Sequence, residues 1–141
     1  MMPSSLVPLT LKQPHRAQLE AWARSAYPEE ACALVVGAGE PPSITRLVLC
    51  TNVASDRRRR FEVDPGARIR LEIALRGTVE RVVGVWHSHP DGPPEPSATD
   101  AAMIYEPDLI WLITAMTPPD PAVTRAFRPD GPGFRELELD G

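Results

Sequence analysis

Between Val82 and Asp100 the chain runs from an apolar stretch, through two closely spaced histidines and a proline-rich loop, to a helix start. This passage limits the fold and the chemistry more than any other. Val82-Val83-Gly84-Val85-Trp86 reads as a buried strand. His87 and His89 follow at positions i and i+2, so on a strand they project to one face while Ser88 projects to the other. After Pro90 comes a loop of Pro and Gly, and a helix is expected to begin near Ser97, with Asp100 one turn into it. Two imidazoles from a strand and one carboxylate from a helix leave a fourth tetrahedral position open. That is the plan of a catalytic zinc site with three protein ligands and a water. Plainer readings exist. Ser97-x-x-Asp100 is also a helix cap with an acid in its first turn, and two surface histidines on a strand need no function at all.

The combination is more specific than its parts. His87-Ser88-His89-Pro90, a seven-residue spacing between His89 and Ser97, and Ser97-x-x-Asp100 form one uninterrupted pattern. It resembles the signature His-x-His-x7-Ser-x-x-Asp of the JAMM (MPN-plus) metalloprotease family, which usually carries Pro after the second His. The resemblance implies one Zn2+ per chain, held by His87, His89 and Asp100. It also implies a glutamate general base just before the first long strand, two residues ahead of a cysteine. Here that stretch is Glu29-Glu30-Ala31-Cys32, which selects Glu30 over Glu29. Ala33 stands where the family usually has Gly after this Cys. Without the zinc pattern, Glu30 would read as a solvated residue at a helix–strand junction. The resemblance further implies that the Ser97 hydroxyl helps to stabilise an oxyanion. It also draws attention to Asn52 and to the segment from Phe61 to Asp64 as shaping or substrate-facing residues, with core packing as the plain alternative for Phe61.

For such a family the implied reaction is hydrolysis after the C-terminal Gly-Gly of a ubiquitin-like protein, in bacterial relatives a small sulfur-carrier protein or its conjugate. Other zinc hydrolases require motifs of their own. A zinc nucleoside deaminase needs His-x-Glu and Pro-Cys-x-x-Cys, and an ordinary zincin needs His-Glu-x-x-His. The chain has none of these. A non-catalytic MPN-type binding scaffold would have lost metal ligands, whereas all are kept here.

With 141 residues the chain is long enough for one domain spanning 1–141. A net charge of −4 argues against a general nucleic-acid binder. Cys32 and Cys50 lie in apolar runs and read as buried free thiols rather than a disulfide framework. The first residues lack the basic start of a signal peptide. The longest apolar run, 109–115, is far too short to span a membrane. A cytoplasmic protein without membrane contact is therefore expected, with a homodimer left open.

The apolar periodicity predicts a short edge strand at 9–11, a helix over 14–27 and strands at 31–37 and 44–50. It then predicts a short strand at 61–63, a helix over 64–76 with a broad apolar face including Ile69, Leu71, Ile73 and Leu75, and the His87 strand. A helix over 97–103, a central strand at 109–116, a turn at 118–121 and two closing strands at 123–127 and 134–139 complete the series. That order predicts an α/β domain, a mixed sheet between helices, and the resemblance implies the same three-layer, curved-sheet fold. The four arginines at 57–60 read as a solvated loop or, functionally, as a contact for an acidic carrier.

Overall fold

The computed structural model describes residues 8–116 and 122–141; the turn expected at 118–121 lies outside them. The elements run β1 (Leu9–Thr10), α1 (Gln13–Ala26), β2 (Cys32–Ala38), β3 (Ser43–Cys50), α2 (Pro65–Leu75), β4 (Arg81–His89), α3 (Ala98–Ala102), β5 (Ile110–Ala115), β6 (Val123–Asp130), β7 (Gly133–Leu137) and β8 (Leu139–Asp140).

All eight strands join one mixed sheet in the order β7-β6-β5-β4-β2-β3-β1-β8. The β4–β5, β1–β3 and β1–β8 pairs are parallel and the others antiparallel. The two ends of this order, β7 and β8, are separated in sequence by Glu138 alone, so the sheet curls back on itself. Main-chain bonds from Leu9 N to Glu138 O (2.9 Å) and from Leu11 N to Asp140 O (2.7 Å) hold the C-terminal segment there. The segment at 9–11, expected at an edge, is therefore flanked on both sides. Its second partner lies at the far end of the chain, and nothing local announces it.

The inner face of the curl wraps α1. Leu19 and Ala23 pack with Val35, Trp86, Leu112, Ala126 and Leu137 in one core. The helical stripe and Pro14 in the first turn explain why this segment coils. Fully burying a side chain such as Leu19 contributes roughly 1.5–3 kcal/mol. The outer face packs against α2 and the Phe61 segment, with Leu34, Val85, Trp111 and Ile113. In α2 the Asp64 carboxylate accepts from Gly66 N at 3.2 Å, and Pro65 fills the first turn. Only Leu71 and Leu75 are buried there; Ile69 and Ile73 remain 60% and 54% exposed. Positions two apart lie about 200° around a helix, so the two pairs form opposite stripes and one sheet can cover only one of them. The strand expected at 61–63 reduces to a single bridge, Asn52 with Val63.

β4 is central, between β2 and β5. Val35 pairs with Gly84 and Val36 with Val82, so Val83 is an extra residue in β4. Past this bulge Trp86 and Ser88 face α1, and Val85, His87 and His89 face outward. A Cβ at Gly84 would collide with the Ile110 carbonyl, so the strand contact itself demands glycine. No helix among the described residues is long and apolar enough to cross a membrane.

Candidate metal centre

The site lies where β4 ends. β4 carries His87, which is fully buried, and His89, which is nearly so. The ring centroids are 4.7 Å apart. The loop after Pro90 returns to α3, where Ser97 and Asp100 form a capping box: Ser97 Oγ accepts from Asp100 N at 3.0 Å, and Asp100 Oδ2 accepts from Ser97 N at 2.9 Å. That reciprocal pair aims the Asp100 carboxylate at the histidines. Oδ2 lies 3.1 Å from His89 Nε2 and 3.4 Å from His87 Nε2. The cap uses a lone pair of the Ser97 oxygen and leaves its O–H proton free to donate into the cleft.

Glu30 comes from the other side, on the approach to β2. The Ser88 hydroxyl accepts from Ala31 N at 2.9 Å, and Ser88 N donates to Ala31 O at 3.1 Å. The residue between the two histidines thus fixes the residue after Glu30. Asn52 Nδ2 donates to the Glu30 carbonyl (2.9 Å) and to the Arg60 carbonyl (3.1 Å), while its Oδ1 accepts from Ala54 N and Glu62 N. Glu30 N in turn donates to Arg57 O at 2.7 Å. Main-chain and Asn52 bonds bracket Glu30 on both sides. Its carboxylate is 4% exposed, with Oε1 3.1 Å from His87 Nδ1. The structure therefore brings His87, His89, Asp100, Glu30 and Ser97 to one place. Glu29 pairs with Arg57 on the exposed surface instead.

Electrostatics follows from this crowding. Burial by itself would push the His87 imidazolium pKa down, but the Asp100 and Glu30 carboxylates outweigh it and hold His87 up at about 9. Burial would likewise raise Asp100; the two imidazoles and the Ser97 amide instead hold it well below the usual carboxylate range. Cys32 sits in register between Cys50 and His87. Burial, then the neighbouring Cys50 and Glu30, push its thiol up to about 12, which favours the protonated thiol over the thiolate.

The donor set fits a divalent cation. Glu30, His87 and His89 each offer a ligand atom within 4.8 Å of the others. Asp100 Oδ2 lies against Nε2 of both histidines. Two carboxylates therefore compete for third place. Asp100 meets the Nε2 atoms, whereas the closest ring nitrogen to Glu30 is His87 Nδ1. His89 Nδ1 lies 2.8 Å from the Pro93 carbonyl, which makes Nδ1 the protonated nitrogen and leaves the Nε2 lone pair for a metal. Most telling, His87 Nε2 and Glu30 Oε1 are buried without a hydrogen-bond partner. Asp100 is near enough to His87 Nε2 for charge attraction but is not aligned to bond it. A buried orphan of this kind costs about 1–3 kcal/mol, and a bound cation relieves it.

Phe61, whose plain reading was packing, is 4% exposed and stacks on the His87 ring, with centroids 4.4 Å apart and planes at 17°. Trp111 closes on both edge-on. The Asn52 clamp and the Ser88 bond escape a sequence reading, because each ties residues 8 to 57 positions apart. Asp91 and Glu95 are exposed on the loop, where they also contact Tyr27 and Arg125. A cleft of about 440 Å³ opens over the cluster, lined by Glu30, His89 and Ser97 and by Arg58 and Arg59.

Residues 12–129 match the family model described as prokaryotic homologs of the JAB domain. Among curated proteins, the chain is similar to the desampylase of Haloferax volcanii, at 33% identity over 112 residues, covering 79% of this chain and 78% of that one. It is also similar to the CysO-cysteine peptidase of Mycobacterium tuberculosis, at 28% over 108 residues, covering 77% and 73%. Among solved structures, a JAB1/MPN domain protein from Archaeoglobus fulgidus superposes with a TM-score of 0.60 at 21% identity, covering 96% of this chain and 100% of that one. At that identity the likeness speaks to the fold, which is the same.

Proposed function

The chain belongs to the family of prokaryotic homologs of the JAB domain, and from that premise we propose that it is a zinc-dependent peptidase or isopeptidase. In this reading it hydrolyses the bond after the C-terminal Gly-Gly of a ubiquitin-like sulfur-carrier protein. The observation that carries the proposal is the buried cluster of two imidazoles and two carboxylates, with His87 Nε2 and Glu30 Oε1 left unpartnered at its centre. The names of the desampylase and the CysO-cysteine peptidase support the substrate class.

His87, His89 and Asp100 would hold the metal, since Asp100 is the carboxylate that meets both Nε2 atoms. A zinc ion there supplies a Lewis acid and a water whose pKa falls from 15.7 towards ~7. Glu30, left with Oε1 unbonded, takes the proton of the attacking water and delivers it to the leaving amine as the C–N bond breaks. The free Ser97 O–H donates to the carbonyl oxygen as charge grows on it. Phe61 and Trp111 hold His87 in place and keep water from its face. The 141 residues work as one domain. The proposed setting is the cytoplasm, where thiols such as Cys32 and Cys50 stay reduced.

Metal analysis and a cleavage panel together test this. The purified protein should contain one zinc per chain. It should cut carrier fusions with Gly-Gly before the junction and spare those with Ala-Ala, because an extended tail lying close to the sheet needs residues without a side chain. Absence of zinc from metal-replete protein, full activity after exhaustive chelation, or efficient digestion of casein would overturn it.

A further inference from the structure

The arginines at 57–60 are not four equal surface charges. Arg57 turns back to Glu29, with Nε 3.3 Å from Oε2. Arg60 donates to Ser55 Oγ at 2.9 Å. Arg59 is 3.9 Å from the exposed Asp56. Arg58 has no ion-pair partner among the described residues, yet it lines the cleft with Arg59, Glu30, His89 and Ser97. Each carboxylate that lines the cleft has a polar neighbour of its own. Asp91 accepts from the Tyr27 hydroxyl at 3.1 Å, Glu95 lies 3.5 Å from Arg125, and Glu30 faces His87. Arg58 is thus left without an ion pair among the described residues, while the Asp91 carboxylate, whose Tyr27 partner is neutral, shares the cleft lining.

Position says what that cation can meet. The loop that carries it is tied to the backbone of Glu30, through Arg57 O and Asn52, so the arginines stand on the Glu30 wall. Glu30 is the group that hands a proton to the leaving amine. Whatever is attached to that nitrogen therefore leaves along this wall. In a single amino acid the α-carboxylate is two bonds from the amine nitrogen. In a longer peptide or a lysine side chain no carboxylate is held there.

We propose that Arg58, assisted by Arg59, forms a carboxylate subsite for the leaving group, so that the enzyme favours release of one free amino acid from the carrier over a cut within a longer chain. This deepens the proposed reaction and rests on it. A guanidinium and a carboxylate make a planar, two-bond match. Exposure keeps the gain modest, in the range of surface pairs, and salt weakens it.

The test uses the carrier that the cleavage panel identifies, extended after Gly-Gly by one alanine, either as the free acid or as its amide. For the wild-type protein the acid should have a KM about three- to tenfold below that of the amide, with similar kcat. In Arg58→Ala the two should become equally good substrates, and Arg58→Lys should restore part of the preference. Raising the salt should shrink the wild-type difference. An equal rise of KM for acid and amide in Arg58→Ala would mean that the arginine contacts the carrier, and would overturn the subsite. So would a wild-type enzyme that does not distinguish the two. If neither substrate turns over, the reaction proposed above falls, and the subsite with it.

Discussion

Trp86 and Ser88 look inward from β4 towards α1, while His87 and His89 look outward, and the two faces treat polar atoms in opposite ways. On the inner face every such group named has a partner. Trp86 Nε1 donates to Thr114 Oγ1 at 2.9 Å, Thr114 shares a 2.7 Å bond with Thr124, and Ser88 accepts from Ala31 N. On the outer face His87 Nε2 and Glu30 Oε1 are equally buried and unbonded. A strand alternates its side chains, so four consecutive residues supply both conditions. The satisfied inner face holds the strand rigid, and that rigidity lets the outer face keep groups that would otherwise relax or fill with water. The difference sets the outer face apart without reference to any relative, and it is there that the proposed reaction would take place.

The largest effect should come from the outer face. Glu30→Gln keeps the shape and removes the proposed proton acceptor. The expected result is a loss of kcat of roughly 10²–10⁴-fold, with zinc content and fold unchanged. Glu29→Gln, whose partner is the exposed Arg57, should change kcat little. Side-by-side kinetics and metal analysis check this, and reversed effects would shift the base by one residue.

The metal-free protein offers a second way to break the comparison, through pH. The pKa of His87 is raised from its ordinary 6.5 to about 9, so its charged form stabilises the fold fully below about pH 6.5. That contribution fades as pH rises through 9. Asp100 is lowered, so its contribution is present above its ordinary pKa near 4 and is lost on further acidification. Metal-free protein should therefore melt highest between about pH 4 and 6.5 and lose up to a few kcal/mol towards pH 9, at about 1.4 kcal/mol per pKa unit. Zinc needs the neutral imidazole, so added zinc should raise Tm most at the alkaline end. Thermal melts with and without zinc across this range decide it. A metal-free curve flat from pH 6 to 9 would mean that the outer cluster stores no such charge.

How much of this could be read beforehand depends on distance along the chain. His87, His89, Ser97 and Asp100 lie within fourteen positions, and alternation plus one helical turn is enough to bring them together. The strands and helices were legible for the same reason. What was not legible depends on pairings between remote segments. The burial of β1 requires β8, the extra residue Val83 requires the register against β2, and the exposure of Ile69 and Ile73 follows from which side of α2 meets the sheet. The Asn52 clamp belongs here too. Asparagine in a loop signals a turn as readily as a fourfold hydrogen-bonding hub, and only the folded loop distinguishes them.

The smallest effects should separate two serines, one from each region. Ser88 belongs to the sealed face, and Ser88→Ala leaves the buried Ala31 N–H without its acceptor. That should cost about 1–3 kcal/mol of stability and lower kcat only a few-fold, through a looser Glu30 one residue away. Ser97 is exposed in the cleft and does two things in this structure: it caps α3 with a lone pair, and it keeps a proton free. Ser97→Ala should cost ~1 kcal/mol as a lost cap, and in addition roughly a hundredfold in kcat if the proton reaches the developing oxyanion. Ser97→Thr keeps both functions in principle and should recover stability and most of the rate. Melting curves beside steady-state kinetics read the two contributions separately. If Ser97→Ala melts earlier but turns over within threefold of wild type, the hydroxyl is a cap alone. The outer face would then work with Glu30 and the metal, without a side-chain donor.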